Sequence, residues 1–217
     1  MTDATHERLA PEGAAVTKAR IWDPWIRAFH WGLVAAFAIV WLTADEVQKV
    51  HEIAGYIIAG LIAFRLIWGL VGSRYARFSQ FLRGPKATLS YCRDMALGRE
   101  RRYLGHNPAG AVMIVALLFT LAATALTGWL IEEPDRTARL PELVQIVPPA
   151  RADEAGHHDH KKNDTLEDVH EVLANLLLML VALHVAGVIL ASVRHRENLA
   201  RAMVTGKKRA AEAGDIA

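Results

Sequence analysis

Cysteine is almost absent from these 217 residues: Cys92 stands alone. That excludes an intrachain disulfide and any cluster held by several thiolates of this chain, and leaves thiol redox chemistry little support. Aromatic residues are sparse at 7%. The long apolar stretches also lack aspartate and glutamate at mid-depth. Buried acids are what carry protons or cations through hydrocarbon, so a histidine-lined metal or proton transporter has little to work with. The first twenty residues have Arg8, Lys18 and Arg20 but no apolar core followed by a small-residue cleavage site. No removable signal peptide is expected, and the first apolar stretch should act as an uncleaved signal.

What is present is hydrophobic and segregated. Four stretches, 26–43, 53–72, 109–131 and 169–193, are long enough to cross a hydrocarbon core of about 30 Å. The fold expected is an all-α integral membrane four-helix bundle, up-down-up-down. Basic residues set its orientation. The N-terminal tail with the start of span one, the segment Gly72 to Gly105 and the tail from Ser192 hold 4, 8 and 6 of the 25 lysines and arginines, against 1 in the hairpin 44–52 and 5 in the loop 132–168. Both termini are therefore expected in the cytoplasm. The net charge of +2 reads as a topology signal, and no nucleic-acid partner is expected. The chain divides into a flexible cytoplasmic tail (1–20), a four-helix transmembrane domain (21–196) with a periplasmic loop at 132–168, and a basic cytoplasmic tail (197–217).

Local signals refine this division. Asp23 followed by Pro24 is an N-cap and first-turn pair and starts span one there. The link T-A-D-E-V-Q-K-V leaves room only for a tight hairpin between the first two spans. After Pro85, apolar and basic residues at helical spacing suggest a short helix on the inner leaflet. Asn107-Pro108 opens span three. The loop 132–168 is rich in proline and acid and carries H-H-D-H-K-K; His157, His158 and His160 are metal-ligand types at close spacing, although a solvated polar tract is the simpler reading.

The histidines are the main functional signal. His170 and His184 are fourteen residues apart, which returns them to within about 40° of one face and separates them by about 21 Å of helix. His51 stands within a turn of the start of span two, and His170 within a turn of the start of span four. From the other surface, His30 is about 10 Å inside span one and His184 about 14 Å inside span four. The four thus form two depth-matched pairs, one outer and one inner. Any one of them alone would read as a buried hydrogen-bonding or interfacial residue. Two imidazoles from different helices at one depth are what a six-coordinate haem requires, and filling both axial positions points to electron transfer. Gly55, Ala174 and Gly187 are small residues one turn from these histidines and leave space for a planar macrocycle.

Arg65 lies fourteen residues after His51, on nearly the same face and at the inner level. It reads equally as a partner for haem propionates or as an arginine snorkelling to lipid phosphate. Arg27, Arg74 and Arg77 read as topology determinants, Trp68 and Tyr75 as an interfacial belt, and His106 as a boundary or capping residue with a minor chance of touching a haem edge. His195 reads as interfacial, and His6 sits in the tail.

The stretches R-I-W-D-P-W-I-R-A-F-H-W, H-E-I-A-G-Y-I-I-A-G-L-I-A-F-R-L-I-W-G-L-V-G-S-R-Y-A-R-F, G-H-N-P-A-G and H-E-V-L-A-N…H-V-A-G-V, in this order, resemble the bacterial cytochrome b561 family, especially cytochrome b subunits of nickel–iron hydrogenases. The likeness covers about residues 20–209. It implies two b haems, with His30 and His184 ligating the cytoplasmic-side haem and His51 and His170 the periplasmic-side one. The histidine-rich run is not part of the family pattern.

The function expected is a di-haem b-type cytochrome that moves electrons between a periplasmic redox partner, a c-type cytochrome or a hydrogenase, and the quinone pool or a cytoplasmic-side acceptor. Quinone is a further candidate ligand. An alternative is a superoxide:quinone-type oxidoreductase, which would need a basic funnel over the outer haem, whereas the outer loop is acidic. The other alternative is the haem-free transporter.

Overall fold

The computed structural model describes residues 18–44, 46–132 and 158–216. Four helices are long and apolar enough to cross a membrane: α1 (Pro24–Thr43), α2 (Gln48–Val71), α5 (Pro108–Glu132) and the Asp164–Arg194 part of α6 (His158–Arg194). Between α2 and α5 run a 3-10 turn (Arg74–Ala76), α3 (Phe78–Phe81) and α4 (Pro85–Ala96). After α6 come α7 (Leu199–Thr205) and a strand β2 (Lys207–Arg209), which pairs antiparallel with β1 (Lys18–Arg20).

The helix starts follow the sequence signals. One Asp23 carboxylate oxygen accepts from the Trp25 and Ile26 N–H groups at 2.9 and 3.0 Å, and Pro24 occupies the first turn, where its missing N–H costs nothing. The other oxygen accepts from the Ser73 hydroxyl and from Trp68 Nε1 at 3.4 Å, which ties the start of α1 to the end of α2. Burial alone would raise this carboxyl, but the hydrogen bonds from Ser73, Ile26, Trp68 and Trp25 outweigh it and hold it below its ordinary value. Asn107 Oδ1 accepts from Gly110 N–H at 2.7 Å and caps α5.

The bundle packs α1 on α2, α2 on α5 and α5 on α6. Its centre is a cluster of Ala36, Ile58, Ile62, Leu121 and Leu177, with Leu33, Phe37, Val40 and Leu117 against it. On α2 the buried residues Ala54, Ile58, Ile62, Arg65 and Gly69 follow a spacing of four, four, three and four, a single helical stripe. Within their most apolar windows 28% of α2 but only 6% of α6 is buried inside the protein. Thus α2 is the central helix, and α6 leaves most of its surface outside the protein's own packing.

Three expectations need correction. The chain is mostly helical but not purely so, because β1 and β2 form a two-stranded ribbon. The fourth long helix begins at His158, well before 169, so the end of the 132–168 loop is helix and His170 lies twelve residues inside it. Finally, residues 197–216 of the expected basic tail are packed against the helices. Ala202 of α7 packs with Ile21, Trp22, Ile26, Ala76 and Leu104 in a second core, joined by Ala19, Trp68, Tyr75 and Met203. Trp68 and Tyr75, expected as an interfacial belt, therefore pack partly inside this cap. The physical reason is a buried charge cluster: Arg102 pairs with Glu197 at 2.9 Å and with Asp215, and Lys208 lies 3.7 Å from Glu197 and donates to the Tyr103 and Leu104 carbonyls at 3.2 and 2.9 Å. Alternation in the ribbon turns Ala19 and Lys208 to this core and leaves Lys18 opposite Arg209 and Arg20 opposite Lys207 on the other face.

Candidate functional site

The rings of His51 on α2 and His170 on α6 are neighbours, with centroids 6.3 Å apart and planes at 66°. His51 Nδ1 is 2.9 Å from the Val40 carbonyl oxygen. A carbonyl only accepts, so Nδ1 carries the proton and Nε2 keeps its lone pair. His170 Nδ1 is 2.9 Å from Thr127 Oγ1, and that hydroxyl donates its one proton to the Thr124 carbonyl at 2.9 Å. Thr127 therefore accepts from Nδ1, and His170 too presents a bare Nε2. Such second partners fix the tautomer and aim of a metal-bound imidazole.

The spacing can be tested against a metal. Two metal–imidazole bonds of about 2 Å with the radii of two five-membered rings, about 1.1 Å each for bonds of about 1.33 Å, sum to about 6.2 Å, close to the 6.3 Å between these centroids. Among the described residues no group of three or more His, Cys, Asp or Glu side chains could hold a metal ion, so the donors come as pairs, the number needed by iron already held in a macrocycle. A Cβ added at Gly55 or Gly187 would meet nothing within 4 Å, so open space adjoins the helices beside His51 and His184.

At the other level, His30 on α1 and His184 on α6 lie within electrostatic reach of each other. The His30 ring meets Trp31 edge-on, with centroids 5.2 Å apart, and its Nδ1 is buried without a hydrogen-bond partner. Arg65 is 3% exposed, its guanidinium lies 4.6 Å from the Phe78 ring centroid, and its Nη1 is buried and unpartnered. An arginine buried this far does not reach out to lipid phosphate. Phe78 can lie there because residue 69 is glycine: a Cβ at Gly69 would stand 2.0 Å from the Phe78 ring. His106 sits between Trp22 and Phe81 with tilted rings, at 4.6 and 4.7 Å between centroids, with a buried, unpartnered Nδ1. Burial, and then the positive charge of Arg65 and Lys208, push it down to about 3, so the ring is neutral. It does not cap α5, a task that Asn107 performs. Unpaired buried polar groups are costly, and this end gathers several, among them those on Arg27, His30, Arg65 and His106.

Four residues at these sites carried no readable signal: Thr127, Gly128, Phe78 and the Val40 carbonyl. A Cβ at Gly128 would come within 3.1 Å of His170 Cε1, so glycine there lets the ring lie against α5. The T-G pair within an otherwise apolar span was the only hint. Of the H-H-D-H-K-K run, His157 lies outside the described residues, as do the side chains of His158 and His160.

These features define a class: a helical membrane protein with four apolar helices, in which imidazoles of two different helices, His51 and His170, stand side by side. The family model for prokaryotic cytochrome b561 matches residues 21–206, and the chain belongs to that family. It is a bacterial membrane protein that binds haem b and carries electrons. No curated protein and no solved structure matches the chain.

Proposed function

We propose that this protein is a di-haem cytochrome b of the inner membrane, its helices running up-down-up-down with both termini in the cytoplasm. His51 and His170 are assigned to the periplasmic-side haem, His30 and His184 to the cytoplasmic-side haem. The observation that carries this reading is the His51–His170 pair, with 6.3 Å between centroids and both Nδ1 atoms committed elsewhere. Bound haem b supplies a one-electron couple between ferric and ferrous iron. Val40 and Thr127 hold the protons of His51 and His170 on Nδ1 and so keep Nε2 available. Arg65 is assigned to the propionates of the cytoplasmic-side haem, which would give its buried charge a partner.

The partners proposed are a periplasmic c-type cytochrome or a hydrogenase on one side, and quinone or a cytoplasmic-side acceptor on the other. Acidic residues Glu46, Glu52 and Glu132 stand at the His51 end of α2 and α5. Such a surface suits a basic protein partner by complementarity and opposes the approach of superoxide. The haem-free transporter is set aside by the family's haem b.

A pyridine haemochrome assay on purified protein tests the assignment. Wild type should hold about two b haems per chain, and His184→Ala or His170→Ala about one each, with one bis-imidazole signal lost by electron paramagnetic resonance. A single haem in wild type, or no loss in either variant, would overturn it.

A further inference from the structure

At the end of α6 lies an open groove of about 410 Å³. Its floor is Val188, Ile189 and Val193, and its rim includes Ser192, Arg196 and Asn198. The floor lies along a helix apolar enough to cross a membrane, and Ile189 and Val193 are 59% and 71% exposed. Val188 is six residues short of Arg194, where the helix ends, or about 9 Å deeper by helix rise. The groove therefore grades from hydrocarbon depth to headgroup depth along the bilayer normal.

The rim carries donors beside one carboxylate, Glu197. Ser192 Oγ accepts from Leu199 N–H at 3.3 Å and Asn198 Oδ1 from Arg201 N–H at 2.7 Å. Their remaining groups are the hydroxyl proton and the amide hydrogens. Arg196 is exposed, and no hydrogen bond or ion pair of its side chain is formed among the described residues. Glu197, also at the rim, is engaged by Arg102 and Lys208.

Arg196 is also the one non-glycine residue with positive φ among the described residues, at 47°. It occupies the left-handed position that terminates α6: Glu197 N–H reaches the Ser192 carbonyl at 3.0 Å and Arg196 N–H the Val193 carbonyl at 3.2 Å. Glycine or asparagine usually stands there because a Cβ is strained in that conformation. Arginine at this spot costs stability and brings an unpaired charge to the rim of an apolar groove.

We infer that the groove is a binding site for one anionic phospholipid, with an acyl chain along Ile189 and Val193 and the phosphate on Arg196, Ser192 and Asn198. A phosphate takes a full positive charge and several donors at once, and the apolar floor takes the chain. This site lies beyond the haem ligands, although its floor begins four residues after His184, so haem must be read in the same samples.

The test reconstitutes the holoprotein in nanodiscs of phosphatidylglycerol and phosphatidylcholine, re-extracts it, and counts lipid per chain by native mass spectrometry beside haem absorbance and melting temperature. Wild type should retain phosphatidylglycerol over phosphatidylcholine. Arg196→Gly should weaken that retention about tenfold, the loss of one charge-assisted contact, while melting at the same or a higher temperature because the backbone strain is relieved. Arg196→Lys should keep most of the retention. Equal retention in Arg196→Gly would overturn the inference, as would haem lost together with lipid. Retained quinone in place of lipid, or full competition by inorganic phosphate, would overturn it too.

Discussion

The two histidine levels are built differently. At the His51–His170 level both rings are oriented by the protein, through Val40 and Thr127, and Gly128 lets His170 lie flush against α5. At the His30–His184 level the polar atoms of His30, Arg65 and His106 are buried without partners, yet this is the end roofed by the β1–β2 ribbon, α7 and the Arg102–Glu197–Asp215–Lys208 cluster. The comparison teaches that at one level the protein itself orients the rings, whereas at the other it builds an enclosure and leaves polar atoms of His30, Arg65 and His106 without protein partners.

The largest effect should come from the roof. Glu197→Ala would leave Arg102 with Asp215 as its one carboxylate and Lys208 with backbone carbonyls alone, and removing one partner of a buried ion pair costs about 3 kcal/mol or somewhat more. Limited trypsin digestion should then release the segment after Arg194, while haem at the His51–His170 level is kept. Acid should do the same. At Glu197 burial acts to raise the carboxyl, but hydrogen bonds and charge from Arg102, Arg209 and Lys208 leave it lowered. Asp215 is lowered in the same way, burial being outweighed by bonds from the Glu212 N–H and Arg102. A carboxylate depressed on folding contributes fully above its ordinary value and loses that contribution as pH falls through the depressed one. The roof should therefore open only below the usual carboxylate range, read as hydrogen exchange of residues 199–216. Opening near neutral pH would break the comparison.

Arg65→Met comes next and should act with opposite sign in the two forms. Without haem, removing an unpaired buried charge should stabilise the protein by about 1–4 kcal/mol. With haem it should weaken retention at the His30–His184 level only. Melting curves of apo and holo protein separate the two, and destabilisation of both forms would show that Arg65 is a plain packing residue.

The smallest effect expected is that of Thr127→Val, which removes the acceptor for His170 Nδ1–H. Loss of such an orienting partner costs about 10–100-fold in affinity, measured here as the haem dissociation rate at the His51–His170 level. A rate unchanged from wild type would mean that packing against Gly128 alone orients the ring.

How much of this was legible in the sequence depends on how local each signal is. The four spans, the Asp23-Pro24 and Asn107-Pro108 helix starts and the short helix after Pro85 are written in neighbouring residues, and all were readable. His51 was matched with His170 by closeness to the span starts, and the structure makes these rings neighbours although His170 stands twelve residues inside its helix. The roof was not legible: its pairings join Arg102 to Glu197 and Lys18 to Arg209, residues about a hundred or more apart in the chain, and a run such as K-K-R looks the same whether solvated or buried.

The amino-acid sequence by itself thus determined that this chain has four helices apolar enough to cross a membrane and where the first and third of them begin, because hydrophobicity and capping act over a few residues. Only the tertiary structure decided that Arg65 is enclosed beside Phe78, that Thr127 fixes the His170 tautomer and that 197–216 is a folded roof. Each of these depends on which distant side chains share a low-dielectric space, where a charge or donor gains or loses most of its free energy according to what stands next to it.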